Sequence, residues 1–315
     1  MTMKLGLFHP SYTIDVQESE TAKSLGDLAR RAENCGFDSF WLMDHVYQVE
    51  PQGSIPQPVL DSWTTLGALS TVTSKIKLGT LVTANPFRHP ALLSKISSTV
   101  DVLSNGRLFM GLGAGWHLEE ARAYGIPFPS VDQRLGRLEE AVQIILKMWT
   151  EERVNFLGEF YKIQDAYCNP KPVQKPHPPL LVGGGGEKKT LKIVAKYADA
   201  CNLSGPPEMV IRKLDALRKH CFIVNREFSS ILKTHLINPF IYRDEGEARK
   251  NAIAALKGMA QERFDQYALF GTPQQILQRI IALVDAGFEY LMVHFEPGRE
   301  MEALELFVNE VATKL

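Results

Sequence analysis

Two hydrophobic rhythms take turns along this chain. Short, nearly continuous apolar runs alternate with longer stretches whose apolar residues recur at three- and four-residue spacing, the pattern of strands followed by amphipathic helices. Lys4 to His9 reads as a first strand. Residues 19–35 read as a helix with Leu25, Leu28, Ala29 and Ala32 on one face, and Gly36 stops it. Ser39 to His45 is the second strand, residues 60–74 a helix, and Lys77 to Thr83 the third strand. Pro90 opens the next helix, where a missing N–H costs nothing. Asn105-Gly106 closes that helix, and Arg107 to Gly113 is the fourth strand.

Between about residues 116 and 178 the rhythm pauses. A long helix over 132–149 presents Leu135, Leu138, Val142, Ile145 and Trp149 on one face. Val154 to Tyr161 looks like a small hairpin, and Pro170, Pro172, Pro176, Pro178 and Pro179 make an extended connector. No polar linker separates this stretch, so it reads as an insertion rather than a domain boundary. Leu180 to Val182 is the fifth strand, with a helix over 187–198. Asp199 to Ser204 is the sixth, with a helix over 207–224. Ile231 to Tyr242 is the seventh, with a helix over 244–260. Gly271-Thr272-Pro273 caps a helix over 274–286, Tyr290 to Phe295 is the eighth strand, and 299–313 the last helix.

Strands that alternate with helices pair in parallel through right-handed crossovers. A doubly wound sheet shares that alternation. Eight strands in one chain of 315 residues without a linker favour a closed (β/α)8 barrel, read as one unit over 1–315 with its insertion between strands four and five.

The net charge of -1 provides no basic field for a nucleic acid. The longest apolar runs, such as Ile280 to Val284, are too short to span a bilayer. The N-terminal MTMKLGLFHPSYT lacks a secretory pattern. Cys35, Cys168, Cys201 and Cys221 show no CxxC spacing and read as reduced thiols, so a cytoplasmic protein is expected.

In such barrels chemistry sits at the C-terminal strand ends. Candidates there are His9, Asp44-His45, Val82-Thr83-Ala84-Asn85, Gly113-Ala114-Gly115-Trp116, Asn202-Leu203-Ser204 and His294-Phe295-Glu296. The sharpest signal is Gly183-Gly184-Gly185-Gly186, running into Glu187 and Lys188. Glycines let backbone N–H groups approach an anion, and a helix N-terminus adds partial positive charge, so this segment reads as a phosphate cradle. A flexible strand-to-helix turn would use the same glycines. The segment is no Walker loop, and Gly111 to Gly115 misses the dinucleotide fingerprint because Trp116 holds the last glycine position. Those small residues read instead as a surface on which a planar ligand can lie. His45 has the chemistry of a base or hydrogen-bond donor. Asp44, His45, His235 and His294 lack metal-ligand spacing, so no metal site is assigned.

The ordered set of motifs resembles the luciferase-like monooxygenases. The matching segments are Asp44-His45, Leu78-Gly79-Thr80 leading to Phe87-Arg88-His89-Pro90-Ala91, Ser104-Asn105-Gly106-Arg107, Gly111 to Trp116, Tyr124-Gly125-Ile126-Pro127-Phe128, Arg134 to Glu139, Pro170-Lys171-Pro172, Val182 to Glu187 and Gly271-Thr272-Pro273. The resemblance spans nearly the whole chain. It implies a (β/α)8 barrel holding FMN or coenzyme F420 at its mouth, with a lean to F420. It implies His45 as the catalytic hydrogen-bond donor or proton shuttle, with Asp44 beside the ring. A non-proline cis peptide is expected at Leu81–Val82, against the ring, and Thr83, Asn85, Gly115 and Trp116 are expected to contact the cofactor. Its phosphate would lie at Gly184 to Lys188, with Gly183 leading in. Family sugar-phosphate dehydrogenases carry a Glu where this chain has Trp116, so the resemblance does not extend to their acid group. The resemblance further implies a small organic substrate, hydride transfer with F420 or O2-dependent oxidation with reduced FMN, a separate reductase, and a homodimer. The alternatives are a flavin-binding barrel without turnover and a metal-dependent barrel hydrolase.

Overall fold

The computed structural model describes residues 3–10, 17–49, 55, 57–256, 264 and 268–315. Strand β1 (Lys4–His9) leads through α1 (Thr21–Asn34) to β2 (Ser39–Leu42), and α2 (Ser62–Val72) leads to β3 (Lys77–Thr80) and its short continuation β4 (Thr83–Ala84). Helix α3 (Pro90–Leu103) precedes β5 (Leu108–Gly113). The insertion holds α4 (Leu118–Ala123), α5 (Val131–Thr150) and the antiparallel hairpin β6 (Val154–Leu157) and β7 (Lys162–Ala166). Then come β8 (Leu180–Gly183), α6 (Thr190–Tyr197), β9 (Ala200–Leu203), α7 (Pro207–Ile223), β10 (Leu232–Ile237), β11 (Pro239–Ile241) and α8 (Glu245–Ala255). The described chain ends with β12 (Leu269–Gly271), α9 (Pro273–Asp285), β13 (Tyr290–Val293) and α10 (Glu300–Glu310).

Strands β1, β2, β3, β5, β8, β9, β10 and β13 pair in parallel in chain order, and β13 pairs back onto β1. This is the closed (β/α)8 barrel, with the insertion between its fourth and fifth strands. The interior is a packed core. Trp41 Nε1 donates to the Ser39 hydroxyl, which also bonds Tyr290 Oη. A Cβ on Gly79 would stand 2.6 Å from the Trp41 ring, so that glycine makes room for the indole.

The family's turn motif is structural. Asn105 and Gly106 take positive φ, 55° and 79°, and return the chain into β5. Arg107 then bonds the carbonyls of Ser70, Thr73 and Ile76. Asp101 accepts from the backbone N–H groups of Leu108, Val173 and Gln174, pinning the proline connector to the barrel.

Several boundaries differ from the periodicity: strands two and eight end sooner, at Leu42 and Val293, and the expected hairpin over Val154 to Tyr161 runs on to Ala166. The seventh strand splits at Pro239, which has no N–H to continue a ladder, and β11 leaves to pair with β12. Helix α6 begins at Thr190 instead of 187, because the glycines favour a turn over helix. The short α4 was not anticipated. The expected helix to 260 is observed to Ala255, and its residues from 257 lie outside the described ones. No described helix is long and apolar enough to cross a membrane.

Candidate active site

His45 lies just beyond β2, with its side chain 14% exposed. Its Nδ1 is 2.7 Å from Oε2 of Glu120, a fully buried residue on α4. Glu120 Oε1 accepts from the Val46 N–H. A carboxylate offers only acceptors, so the ring nitrogen facing it carries the proton, and Nε2 is left without a described protein partner. The ring of Trp116, 64% exposed, stands edge-on to His45 at 5.5 Å. His117 caps α4 by accepting from the Glu120 N–H.

Asp44 turns the other way. Its carboxylate accepts from Ser62 Oγ at 2.5 Å, from the Ala84 N–H at 3.2 Å and from Arg88 Nη1 at 2.6 Å. Burial pushes this carboxyl above the usual range, opposed by Arg88 and Ser62. Asp44 braces the end of β2 against β4 and α2. Thr83 is likewise engaged, with Thr80 Oγ1 at 2.8 Å and Trp63 Nε1 at 3.1 Å.

The Leu81–Val82 peptide is cis, as the resemblance implies. Val82 nests among three glycines. A Cβ on Gly113 would lie 2.7 Å from Val82 Cγ2, and one on Gly183 or Gly111 would lie 2.8 or 3.0 Å from Cγ1. The space that Gly111, Gly113 and Gly183 leave is thus filled by Val82. Asn85 is buried, and its Oδ1 has no described partner, while Nδ2 reaches Tyr161 Oη at 3.3 Å. Gly115 takes φ +75° and turns the chain toward Trp116.

Gly184, at φ +117°, is required by the turn out of β8. The N–H groups of Gly185, Gly186, Glu187 and Lys188 donate to no acceptor among the described residues. The Thr190 hydroxyl lies 2.8 Å from where a Cβ of Gly186 would be, and Lys213 Nζ 2.7 Å from that of Gly185. Side chains would crowd this cradle, and its N–H groups are unpaired among the described residues, so it fits a phosphate. Glu187 turns aside to Arg212 at 2.8 Å, and its carbonyl accepts from His220 Nε2 at 2.7 Å. Lys188 is exposed.

The family model for luciferase-like monooxygenase matches residues 3–261. The chain belongs to that family. An F420-dependent glucose-6-phosphate dehydrogenase of Amycolatopsis mediterranei (strain U-32) is 29% identical over 93% of this chain and 94% of its own. An F420-dependent secondary alcohol dehydrogenase, solved with an F420-acetone adduct, superposes with a TM-score of 0.85 at 20% identity, covering 99% of this chain and 98% of that one. The monooxygenase RslO1 from Streptomyces bottropensis superposes at 0.82 with 24% identity over 99% of each chain. These two are likenesses of fold.

In this luciferase-like barrel the expected residues fall on one continuous arc, since β2, β3, β5 and β8 are neighbours. His45, Leu81, Val82, Asn85, Gly115 and Trp116 stand on it together, and the glycine loop follows. The structure does not bring Asp44, His45, His235 and His294 together as a ligand set. Asp44 goes to Arg88, His45 to Glu120, and His235 packs against the Phe288 ring at 4.9 Å. A cavity of about 460 Å³ opens on the opposite side of the rim, lined by Ser204, His235, Leu236, Phe240, His294 and Glu296 among others. Burial lowers His235 and His294 each to about 4, with Lys213 adding to the effect on His235. Sequence reasoning missed Glu120 and Lys213. Glu120 follows Trp116 by four positions, but nothing in that spacing points to His45, 75 residues away.

Proposed function

We propose that this protein is an F420-dependent oxidoreductase acting on a small organic substrate. The observation that carries the reading is one arc of rim on which a phosphate-fitting glycine loop and a mostly covered histidine stand on either side of the Val82 shelf. Family membership and the F420 named in its relatives support it.

When bound, F420 would supply hydride chemistry at its ring. The chain's own residues bind, orient and handle the proton. The loop N–H groups of Gly185 to Lys188 would hold the phosphate. The partly buried Val82 side chain, wedged by its glycines, gives the ring a rigid backstop. Trp116 stands edge-on to His45 at the mouth and gives it an aromatic wall. With Nδ1 committed to Glu120, His45 acts through Nε2, where a neutral imidazole accepts a proton from a substrate hydroxyl as hydride leaves, and returns it in the reverse direction. Trp116 stands where the sugar-phosphate enzymes are expected to carry an acid, and the carboxylate found here, Glu120, lies buried behind the histidine. That arrangement favours a substrate needing one proton relay rather than a glucose phosphate.

FMN with a separate reductase is the second reading, favoured by the monooxygenases among the structural likenesses. Fluorescence titration of the purified protein with F420 and with FMN tests both. Tighter binding of F420 is expected. Tight binding of FMN alone would replace the leading reading with the second, and binding of neither would end both.

A further inference from the structure

We propose that Lys213 of α7 is the cationic arm of the phosphate site, closing over the glycine loop to pair with the cofactor's phosphate. This rests on the cofactor reading above and names a residue of this chain that its motifs do not mark. Three observations meet at one point. The Lys213 ammonium lies 2.7 Å from where a Cβ of Gly185 would stand, directly against the loop. Its one hydrogen bond is to the Ser204 carbonyl, at 3.2 Å, from the neighbouring β9–α7 turn. Among the described residues it has no ion-pair partner, because Glu187, the acid that acts on it, is held by Arg212 at 2.8 Å.

A lysine held between two loops without a carboxylate is poorly compensated. Partial burial, and then the adjacent Arg212 charge, lower its proton affinity. An anion at the loop would reverse that balance. The donors at the loop are the N–H groups of Gly185 to Lys188, the Thr190 hydroxyl and the Lys213 ammonium, and Glu187, the loop's own carboxylate, is paired with Arg212. Such a donor-rich set suits a phosphate monoester or diester, whose oxygens accept hydrogen bonds at neutral pH. Gly185 then has a second reason to be glycine: a side chain there would push the ammonium away.

The test compares ligands with and without phosphate on the full chain. FMN is paired with riboflavin, and F420 with the deazaflavin riboside that lacks the phosphate tail. Affinities are measured for wild type, Lys213→Met and Lys213→Arg, with thermal melts to confirm folding. Lys213→Met should weaken the phosphate-bearing ligand that binds wild type by roughly ten- to hundredfold. It should leave the phosphate-free partner within about twofold, the level expected when no contact is lost. Lys213→Arg should keep most of the affinity, and the 31P resonance of the bound ligand should move in Lys213→Met. Equal losses for both members of a pair, or no loss for either, would overturn the assignment while leaving cofactor binding by wild type intact. If wild type binds no phosphate-bearing ligand, the cofactor reading and this assignment fall together.

Discussion

His45 Nδ1 and Glu120 Oε2 meet at 2.7 Å across the gap between a barrel strand end and the insertion. The acid is wholly buried and takes the Val46 N–H as well, so it fixes both the ring and the backbone that carries it. His45→Ala should lower turnover by about a hundredfold or more while leaving cofactor affinity nearly unchanged. Glu120→Ala should lower turnover by about tenfold or more, and the double variant should be no slower than His45→Ala, because the two act as one unit. Cofactor absorbance followed with an accepted substrate measures all three. Full additivity would show that Glu120 does not act through His45.

The Val82 nest makes a discriminating prediction about stability. Gly113→Ala places a Cβ 2.7 Å from Val82 Cγ2 and should cost about 1–3 kcal/mol. Adding Val82→Ala should recover most of that loss. Gly111→Ala meets the Thr80 carbonyl at 2.0 Å, a backbone atom, so Val82→Ala should not rescue it. Urea unfolding of the four variants decides. Rescue of Gly111→Ala would show that the Val82 contact, not the backbone, sets the limit there.

Buried histidines predict acid sensitivity. Burial lowers His9 to about 3 and His235 and His294 to about 4, from an ordinary 6.5. Between pH 6.5 and about 4 the unfolded chain therefore binds more protons than the folded one. Stability is complete above that window and falls as pH drops through it. His235→Leu removes one such site, so its urea midpoint should fall less steeply than that of wild type between pH 7 and about 4.5. Parallel curves would mean that His235 is not held neutral by the fold.

Much of the fold was legible because strand and helix periods are local. A residue's neighbours at two, three or four positions decide which face it joins, so β1, β5, α5 and α9 lie within a residue or two of their expected places. Less was legible where the chain departs from its own rhythm. Pro239 turned one expected strand into two, and the second found a partner, β12, that no alternation announced. The partners of Asp44 were not legible, because its three donors, from β4, α2 and Arg88, come from elsewhere in the chain.

The sequence by itself determined the alternation that closes into a parallel barrel, the place of the insertion, and the glycine loop at the end of the fifth barrel strand. The tertiary structure alone decided that Glu120 stands behind His45, that Val82 fills the space above Gly111, Gly113 and Gly183, and that Lys213 lies on Gly185. The reason is physical. Periodicity records which face of an element is buried, but a contact between side chains far apart in the chain exists only once closure of the barrel sets the distance between their backbones.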